Sequence, residues 1–184
     1  MKDLSLHILD IVQNSVVAGA KVIQIIIEIN TANDYIEFTV KDNGKGMEQE
    51  FLKRVVDPFT TTRTTRKVGL GIPLLKQNAE LTGGTFSIDS EPGVGTALKA
   101  RFVRSHIDCL PLGDLGGTIA LLLCSYPDIE FKVSVVVDTT EFSVSTSELR
   151  QALDGVPLNE PSVYPLVKEY IYSNLDELQI TNLS

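Results

Sequence analysis

The sequence lacks several features that mark common classes of protein. It contains no tryptophan and only two histidines and two cysteines in 184 residues. Cys109 and Cys124 lie among apolar neighbours without metal-ligand spacing, so we interpret both as core residues rather than as a disulfide or zinc site. No apolar run approaches the roughly 18 residues of a membrane-spanning helix, and the N-terminus has no signal-peptide apolar block. These absences predict a soluble, cytoplasmic protein without a membrane partner.

Positive charge is also scarce. Twenty-four acidic residues against 16 basic ones give a formal net charge of −8 and a pI of about 4.7. This balance argues against a surface that binds the phosphate backbone, so we expect no nucleic-acid partner. A local exception is the cationic group Arg63, Arg66 and Lys67. The hydrophobic content of 43% is enough for a well-filled core.

The most informative stretch is Tyr35–Met47, with the sequence YIEFTVKDNGKGM. Apolar and polar residues alternate in its first half, which predicts a half-buried strand. Asp42 stands at the end of this strand, and Gly44 and Gly46 follow. Glycines at this spacing are typical of an ordinary surface turn, but they also let a backbone approach a ligand closely. The stretch by itself leaves both interpretations open.

Residues 3–18 have the apolar spacing of a mostly buried helix, in which Asp10 and Asn14 lie one turn apart on one face. They could form buried hydrogen bonds to a neighbouring loop. Alternatively, the Asn14 amide oxygen could bind a hard cation such as Mg²⁺, with the Asp10 carboxylate near the ion or its water. We expect His7 to be capped or partly exposed rather than catalytic.

A hydroxyl-rich, cationic run, TTTRTTRK, follows Asp57-Pro58-Phe59 and leads to Gly69-Leu70-Gly71. A solvated loop is the ordinary interpretation of such a run. Gly69 and Gly71, however, open a predicted helix over residues 70–82, and the first amides of a helix form an anion site. Hydroxyls, cations and a helix N-terminus together favour a polyphosphate ligand.

The other elements follow from periodicity and turn residues. We predict strands over residues 21–30, 85–90 and 97–103 and a helix over 48–56. Residues 105–184 contain no recognisable chemical motif, and we predict an α-β-β-α-α appendage with its own small core. Its elements are a helix over 114–125, a hairpin over 131–146, a helix from Ser147 to near Gly155, and a helix over 162–178 with Val163, Leu166, Val167, Tyr170 and Ile171 on its inner face.

Taken together, Asn14 and the segments DNGKGM, DPFTTT, VGLGIPLLKQNAELTGG and GVGTAL resemble the nucleotide-binding domain of the GHKL superfamily. That superfamily includes gyrase, heat-shock chaperone, histidine kinase and mismatch-repair ATPases. The resemblance covers roughly residues 4–103. It implies an α+β fold, namely the two-layer α/β sandwich of Bergerat type with a mixed sheet. We therefore expect an ATP-binding domain over residues 1–104 and the appendage over 105–184.

The resemblance also implies roles for individual residues and the cofactors ATP and Mg²⁺. Asn14 should ligate Mg²⁺, and Asp42 should accept a hydrogen bond from the adenine amine with support from the Thr96 hydroxyl. The remaining implied contacts to the nucleotide come from the backbone near the base at Gly44 and Gly46, from the phosphate cradle at Gly69, Leu70 and Gly71, and from the lid at Thr61, Arg63, Arg66 and Lys67.

Three departures from the family pattern bear on function. Asp10 stands where hydrolysing members have a glutamate general base, and Thr65 and Lys67 stand where kinase lids have glycines. We also expect the helical hairpin that bears the phospho-accepting histidine to be absent. We therefore expect slow ATP hydrolysis or phosphoryl transfer to a separate protein, with Asp10 as base. The alternative is a non-catalytic, ATP-dependent binding module. The appendage is expected to recognise a protein partner or to form a homodimer.

Overall fold

The computed structural model describes residues 2–56 and 71–180, in which six helices and six strands are formed. Their order, α-β-β-α-α-β-β-α-β-β-α-α, matches the order predicted from the sequence. The helices are α1 (Leu4–Val17), α2 (Gln49–Val55), α3 (Gly71–Leu81), α4 (Leu115–Ser125), α5 (Thr146–Ala152) and α6 (Val163–Glu177). The strands are β1 (Val22–Asn30), β2 (Tyr35–Asp42), β3 (Thr85–Glu91), β4 (Gly95–Val103), β5 (Glu130–Val137) and β6 (Thr140–Ser145).

All these strands join one sheet in the order β3-β4-β2-β1-β5-β6. β1 and β5 are parallel, and the other neighbouring pairs are antiparallel. The register aligns β-branched and aromatic residues on one face, so that Ile25 lies opposite Val40 and Val40 opposite Leu98. Helices α1, α3 and α5 contact the strands, and this apolar face is buried. The predicted α/β sandwich with a mixed sheet is confirmed.

The opposite face of the sheet is covered by charged side chains. Glu37 pairs with Lys99 through Oε1 at 3.0 Å and with Arg101 through Oε2 at 2.7 Å. The Arg101 guanidinium lies 4.1 Å from the ring centroid of Tyr35, whose hydroxyl donates to Glu28. These contacts leave Glu37 only 7% exposed. The two faces of the sheet therefore differ sharply in polarity, and the apolar cavity described below lies on the helix side.

Residues 105–180 continue the sheet instead of forming a separate layer. Their α-β-β-α-α order is as predicted, but β5 pairs with β1, and the buried apolar residues of the whole described chain form one cluster. The expectation of a separate small core is therefore wrong, because the parallel β1–β5 pair merges the two cores. The segment also binds both ends of α1: Ser5 N donates to Leu112 O at 3.0 Å, and Tyr126 OH donates to Gln13 Oε1 at 2.7 Å. The division at residue 104 stays a prediction about domains.

Two details of the last helices differ from expectation. Ser145, not Ser147, caps α5, and it forms a reciprocal capping box with Glu148. On α6, the buried residues follow a single i, i+4 row, while Leu166 is 59% and Tyr170 47% exposed. One buried row is enough to hold α6 in place, because α6 packs mainly against α4, where Gly116 lies close to the Tyr172 ring. That row is Val163, Val167, Ile171 and Leu175.

No helix within residues 2–56 and 71–180 is both long enough and apolar enough to cross a membrane.

Candidate functional site

Helix α1 supplies one wall of the site. The Asp3 carboxylate caps its start by accepting from Leu6 N at 2.9 Å. Apolar residues at helical spacing anchor the helix to the sheet, which turns the neighbouring Asn14 and Ser15 toward a cavity. Asn14 is exposed and Ser15 is buried. Asp10, one turn earlier, is half-buried and packs toward α3.

The second wall comes from three strand ends in register. Asp42 of β2 lies opposite Thr96 of β4, and Thr96 lies opposite Ser90 of β3. Since Val40 and Leu98 face the helices, Asp42 and Thr96, two residues away along the same strands, face them too. The pairing therefore places a carboxylate and two hydroxyls side by side at one end of the apolar face.

The Asp42 carboxylate is held by a donor on each oxygen. Ser15 Oγ donates to Oδ2 at 2.6 Å, and Gly44 N donates to Oδ1 at 2.8 Å. Each carboxylate oxygen accepts up to two hydrogen bonds, so both retain capacity for a ligand. Ser15 lies on the buried face of α1. Its link to Asp42 depends on how α1 packs on β2, which local sequence does not encode.

Thr96 is oriented by Ser90, which the sequence did not single out. Ser90 Oγ accepts from Met47 N at 2.9 Å and donates to Gly95 O at 3.0 Å. Because the Ser90 proton is used there, Thr96 Oγ1, 2.9 Å away, must be the donor between the two hydroxyls. Within residues 2–56 and 71–180, the lone pairs of Thr96 Oγ1 accept no hydrogen bond. Asp42 and Thr96 thus present two acceptors at the end of the cavity.

The glycines after Asp42 pack closely against the protein itself. A Cβ at Gly44 would lie 2.9 Å from the Ala18 Cβ at the end of α1. Gly46 has φ +66°, and a Cβ there would overlap the Glu91 carbonyl at the end of β3. Any side chain at either position would displace a wall of the site. Gly46, but not Gly44, lines the cavity.

Between these walls lies a cavity of about 320 Å³. Its polar groups, including Asp42 and Thr96, are few, and most of its lining is aliphatic or aromatic. An apolar slot with two acceptors at one end suits a flat ring that carries an amino group. The apolar lining consists of Ile11, Val17, Ala18, Val40, Met47, Phe51, Val55, Ile72, Ile88 and Leu98.

Helix α3 brings Gly71 against Asp10. A Cβ at position 71 would overlap Asp10 Oδ2, so only glycine fits there with Asp10 in its present rotamer. Pro73 follows within the first turn, where its missing N–H costs no helical hydrogen bond. The structure therefore joins two of the predicted site residues at the start of α3, next to the cavity wall formed by Ile72.

His7 is not capped or partly exposed, as expected from the sequence, but completely buried. It lies in the interface between α1 and α3, where its Nε2 is 3.0 Å from Asn78 Nδ2. Burial lowers the pKa of His7 to about 4, with a smaller contribution from the positive N-terminus. The imidazole is therefore neutral at physiological pH.

Six of the predicted nucleotide contacts, Arg66 of the lid among them, lie outside the described residues. They are Thr61, Arg63, Arg66, Lys67, Gly69 and Leu70. The structure brings Asn14, Asp42, Gly46 and Thr96 to one cavity, with Gly44 behind it, and it sets Asp10 with Gly71 beside it. Among the described residues there is no group of three or more His, Cys, Asp or Glu side chains that could hold a metal by themselves.

The sheet is mixed, and helices pack on its apolar face. Together with the apolar cavity that ends at Asp42 and Thr96, this architecture is a nucleotide-binding α/β sandwich of the Bergerat fold. A profile of the family described as "Histidine kinase-, DNA gyrase B-, and HSP90-like ATPase" matches residues 2–106. The chain belongs to this family, as the sequence motifs predicted. ATP binding is the property that the family supports for it.

Sensor kinases are among its relatives by sequence. The Sensor kinase CckA of Brucella abortus (strain 2308) is 39% identical over 72 residues, which are 39% of this chain and 8% of that protein. Sporulation kinase A of Bacillus subtilis (strain 168) is 36% identical over 69 residues, 38% of this chain and 11% of the kinase. The chain thus spans a small part of the length of these relatives.

Solved structures extend the likeness in fold. The Aquifex aeolicus MutL ATPase domain complexed with ADP matches with a TM-score of 0.50 at 15% identity, over 85% of this chain and 69% of that one. The N-terminal domain of a DNA repair protein matches with a TM-score of 0.58 at 15% identity, over 85% and 57%. Because 85% of the chain exceeds the 2–106 range of the family profile, the shared fold includes part of residues 105–184.

Proposed function

We propose that this chain binds ATP with Mg²⁺ and uses it for slow hydrolysis or for phosphoryl transfer to a separate protein. The observation that carries the proposal is the paired acceptor edge of Asp42 and Thr96 at the end of an apolar slot. Family membership supplies the nucleotide class, and the names of the kinase relatives favour the transfer reaction.

The acceptor edge favours adenine over guanine. Asp42, fixed by Ser15 and Gly44, accepts one N–H of the exocyclic amine, while the free lone pairs of Thr96 Oγ1 accept directly or through a water. Guanine would present a carbonyl oxygen at that point, and two acceptors facing each other repel. The base itself is held by the aliphatic lining of the cavity.

The phosphates and metal are assigned to the open side of the cavity. Asn14 is exposed at the cavity wall and offers a neutral amide oxygen. One such ligand fits Mg²⁺, which keeps several waters and binds substrate phosphates rather than a full protein cage. When bound, ATP supplies the transferable phosphoryl group and Mg²⁺ neutralises part of its charge. The proposed phosphate and lid contacts are Thr61, Arg63, Arg66, Lys67, Gly69, Leu70 and Gly71.

Asp10 is the candidate general base. It lies one turn from Asn14, and its Oδ2 reaches the start of α3. In this role the carboxylate would hold a proton taken from water or from a partner's hydroxyl or imidazole. The phospho-acceptor is proposed to be a protein in trans, recognised by residues 105–184, through which the chain would also form a homodimer. We place this activity in the cytoplasm.

The position of Asp10 also favours a second candidate function. Its carboxylate packs against Gly71 and is not part of the cavity lining. A carboxylate turned to the protein is a poor base, because proton transfer needs hydrogen-bond contact with the reacting group. On this hypothesis the chain is a non-catalytic module, and a partner senses whether ATP is bound.

Incubation with ATP labelled at the γ-phosphate and Mg²⁺ separates these functions. The protein is tested alone and with cell extract, and free phosphate and labelled protein are measured separately, with heat-denatured protein as control. Labelled protein that depends on the chain indicates transfer, and free phosphate alone indicates hydrolysis. If ATP binds but neither product exceeds the control, the binding module is correct. Absence of ATP binding would contradict the whole proposal.

A further inference from the structure

His7 is a buried polar side chain in the contact between α1 and α3. Its exposure is 0%, and Nε2 lies 3.0 Å from Asn78 Nδ2. An amide nitrogen only donates, so Nε2 accepts and the imidazole proton is on Nδ1. Within the described residues Nδ1 is buried and has no hydrogen-bond partner. The imidazole thus makes one side-chain hydrogen bond, and that bond joins two helices.

Those helices carry opposite parts of the site. His7 lies one turn before Asp10 on α1, and Asn78 lies about two turns after Gly71 on α3. Asp10 packs on Gly71 at the open end, and His7 bonds Asn78 further along the same interface. Two separate contacts fix both the spacing and the rotation of α3 relative to α1.

A histidine at this position has a free-energy cost that an apolar side chain would not have. Among the described residues one ring nitrogen has no hydrogen-bond partner, whereas a leucine would bury a similar volume without that cost. A buried polar pair of this kind contributes positional specificity more than stability. The neutral ring, maintained by burial, suits a fixed role as acceptor rather than one as a charged group.

We propose that His7 is a positioning residue that, through Asn78, sets where the start of α3 lies relative to Asp10 and Asn14. It thereby determines how the site fits the phosphates of ATP, without affecting the adenine edge at Asp42. This inference rests on the proposed function. It predicts that an apolar replacement harms phosphate recognition while leaving the fold as stable as before.

The test uses the full chain with His7→Leu, Asn78→Leu and the double variant. The control is Gln77→Leu, which, like Asn78→Leu, replaces a side-chain amide of α3 by leucine, but at the neighbouring, exposed position. For each protein, the thermal midpoint is measured, and calorimetry gives the affinities for ATP and for adenosine with Mg²⁺. Adenosine lacks the phosphates, so it reports on the base cavity and its adenine edge without any phosphate contact.

We expect His7→Leu to weaken ATP binding by about three- to tenfold, the range that a single hydrogen bond supports. Adenosine affinity should fall by less than ATP affinity, because the base cavity is lined mainly by residues outside α3, with Ile72 as the contribution of that helix. The thermal midpoint should stay constant or rise, and the double variant should be no worse than His7→Leu. Equal loss of ATP and adenosine affinity, loss of stability in step with affinity, or unchanged ATP affinity would each overturn the role of His7. A parent chain that does not bind ATP would instead overturn the proposed function.

Discussion

The two parts of the chain share one sheet but differ in charge. Residues 1–104 contain 13 Lys or Arg and 12 Asp or Glu, whereas residues 105–184 contain three and 12. The whole surplus of negative charge therefore lies in the second part. A site that receives a polyanion is best kept in a part of the chain without such a surplus, because like charges raise the cost of binding.

They also differ in how their polar groups are used. In the first part, Ser15, Ser90 and Gly44 N–H orient Asp42 and Thr96 toward a cavity. In the second part, Asp114 caps α4 and accepts from Tyr172 OH, a contact that ties α6 to α4. Polar contacts serve a ligand in one part and helix packing in the other. The variants below test this distinction, from the largest expected effect to the smallest.

Asp42→Asn should have the largest effect on ATP binding. The variant keeps the shape of the side chain but replaces one oxygen by a donor, and it loses a charge-assisted hydrogen bond worth about 1.5–3 kcal/mol, more than about tenfold in affinity. Discrimination against GTP should weaken as well. Calorimetric titration measures both affinities, with the exposed Asp89→Asn as control. Unchanged ATP affinity in a folded Asp42→Asn protein would contradict the adenine edge.

Asp10→Asn should keep ATP affinity and lower turnover by about tenfold or more if Asp10 is the base. Asp10→Glu extends the carboxylate by one methylene, and we expect it to raise turnover if the start of α3 moves to accept it. Phosphate release with Mg²⁺ is the measurement. Turnover that survives Asp10→Asn would exclude Asp10 as base, and equally negligible turnover in all three proteins would favour the binding module.

The elements were predictable because their periodicity is strong. The boundaries of α1, β1 and α3 agree with expectation within one residue or so, and the alternating β2 led directly to Asp42. Family motifs then indicated Asn14, Gly71 and Thr96. What local sequence did not encode was long-range pairing, namely β5 beside β1, Ser15 beside Asp42, and His7 beside Asn78. The exposure of Leu166 and Tyr170 likewise depends on which face of α6 meets α4.

Ser15→Ala sharpens the contrast within α1 itself. It removes the donor to Asp42 Oδ2 and should weaken ATP binding by about three- to tenfold, since the carboxylate loses one of the two hydrogen bonds that fix its orientation. Ser5→Ala is a matched control, because Ser5 is also a buried serine of α1 but donates to Leu112 O at 2.5 Å. Both variants should lose similar stability, and only Ser15→Ala should lose affinity. Equal affinities in the two variants would remove Ser15 from the site.

The smallest effect is expected in the acidic part, from Tyr172→Phe. The variant keeps the ring that packs on Gly116 and removes only the hydroxyl that donates to Asp114, so we expect a loss of about 0.5–1.5 kcal/mol in the free energy of unfolding.

The hydrogen bond from Tyr172, and to a lesser extent that from Gly117 N, lowers the pKa of the Asp114 carboxyl. A lowered pKa in the folded state means that this stabilisation is present above the ordinary pKa of the group and is lost as the pH falls through the folded value. The difference between parent and variant should therefore be full at pH 7 and shrink on acidification below about pH 4. Chemical denaturation at several pH values measures it, alongside ATP affinity, which should not change. A loss of ATP affinity in Tyr172→Phe would mean that the α4–α6 contact reaches the nucleotide site and that the two parts of the chain are not separable in function.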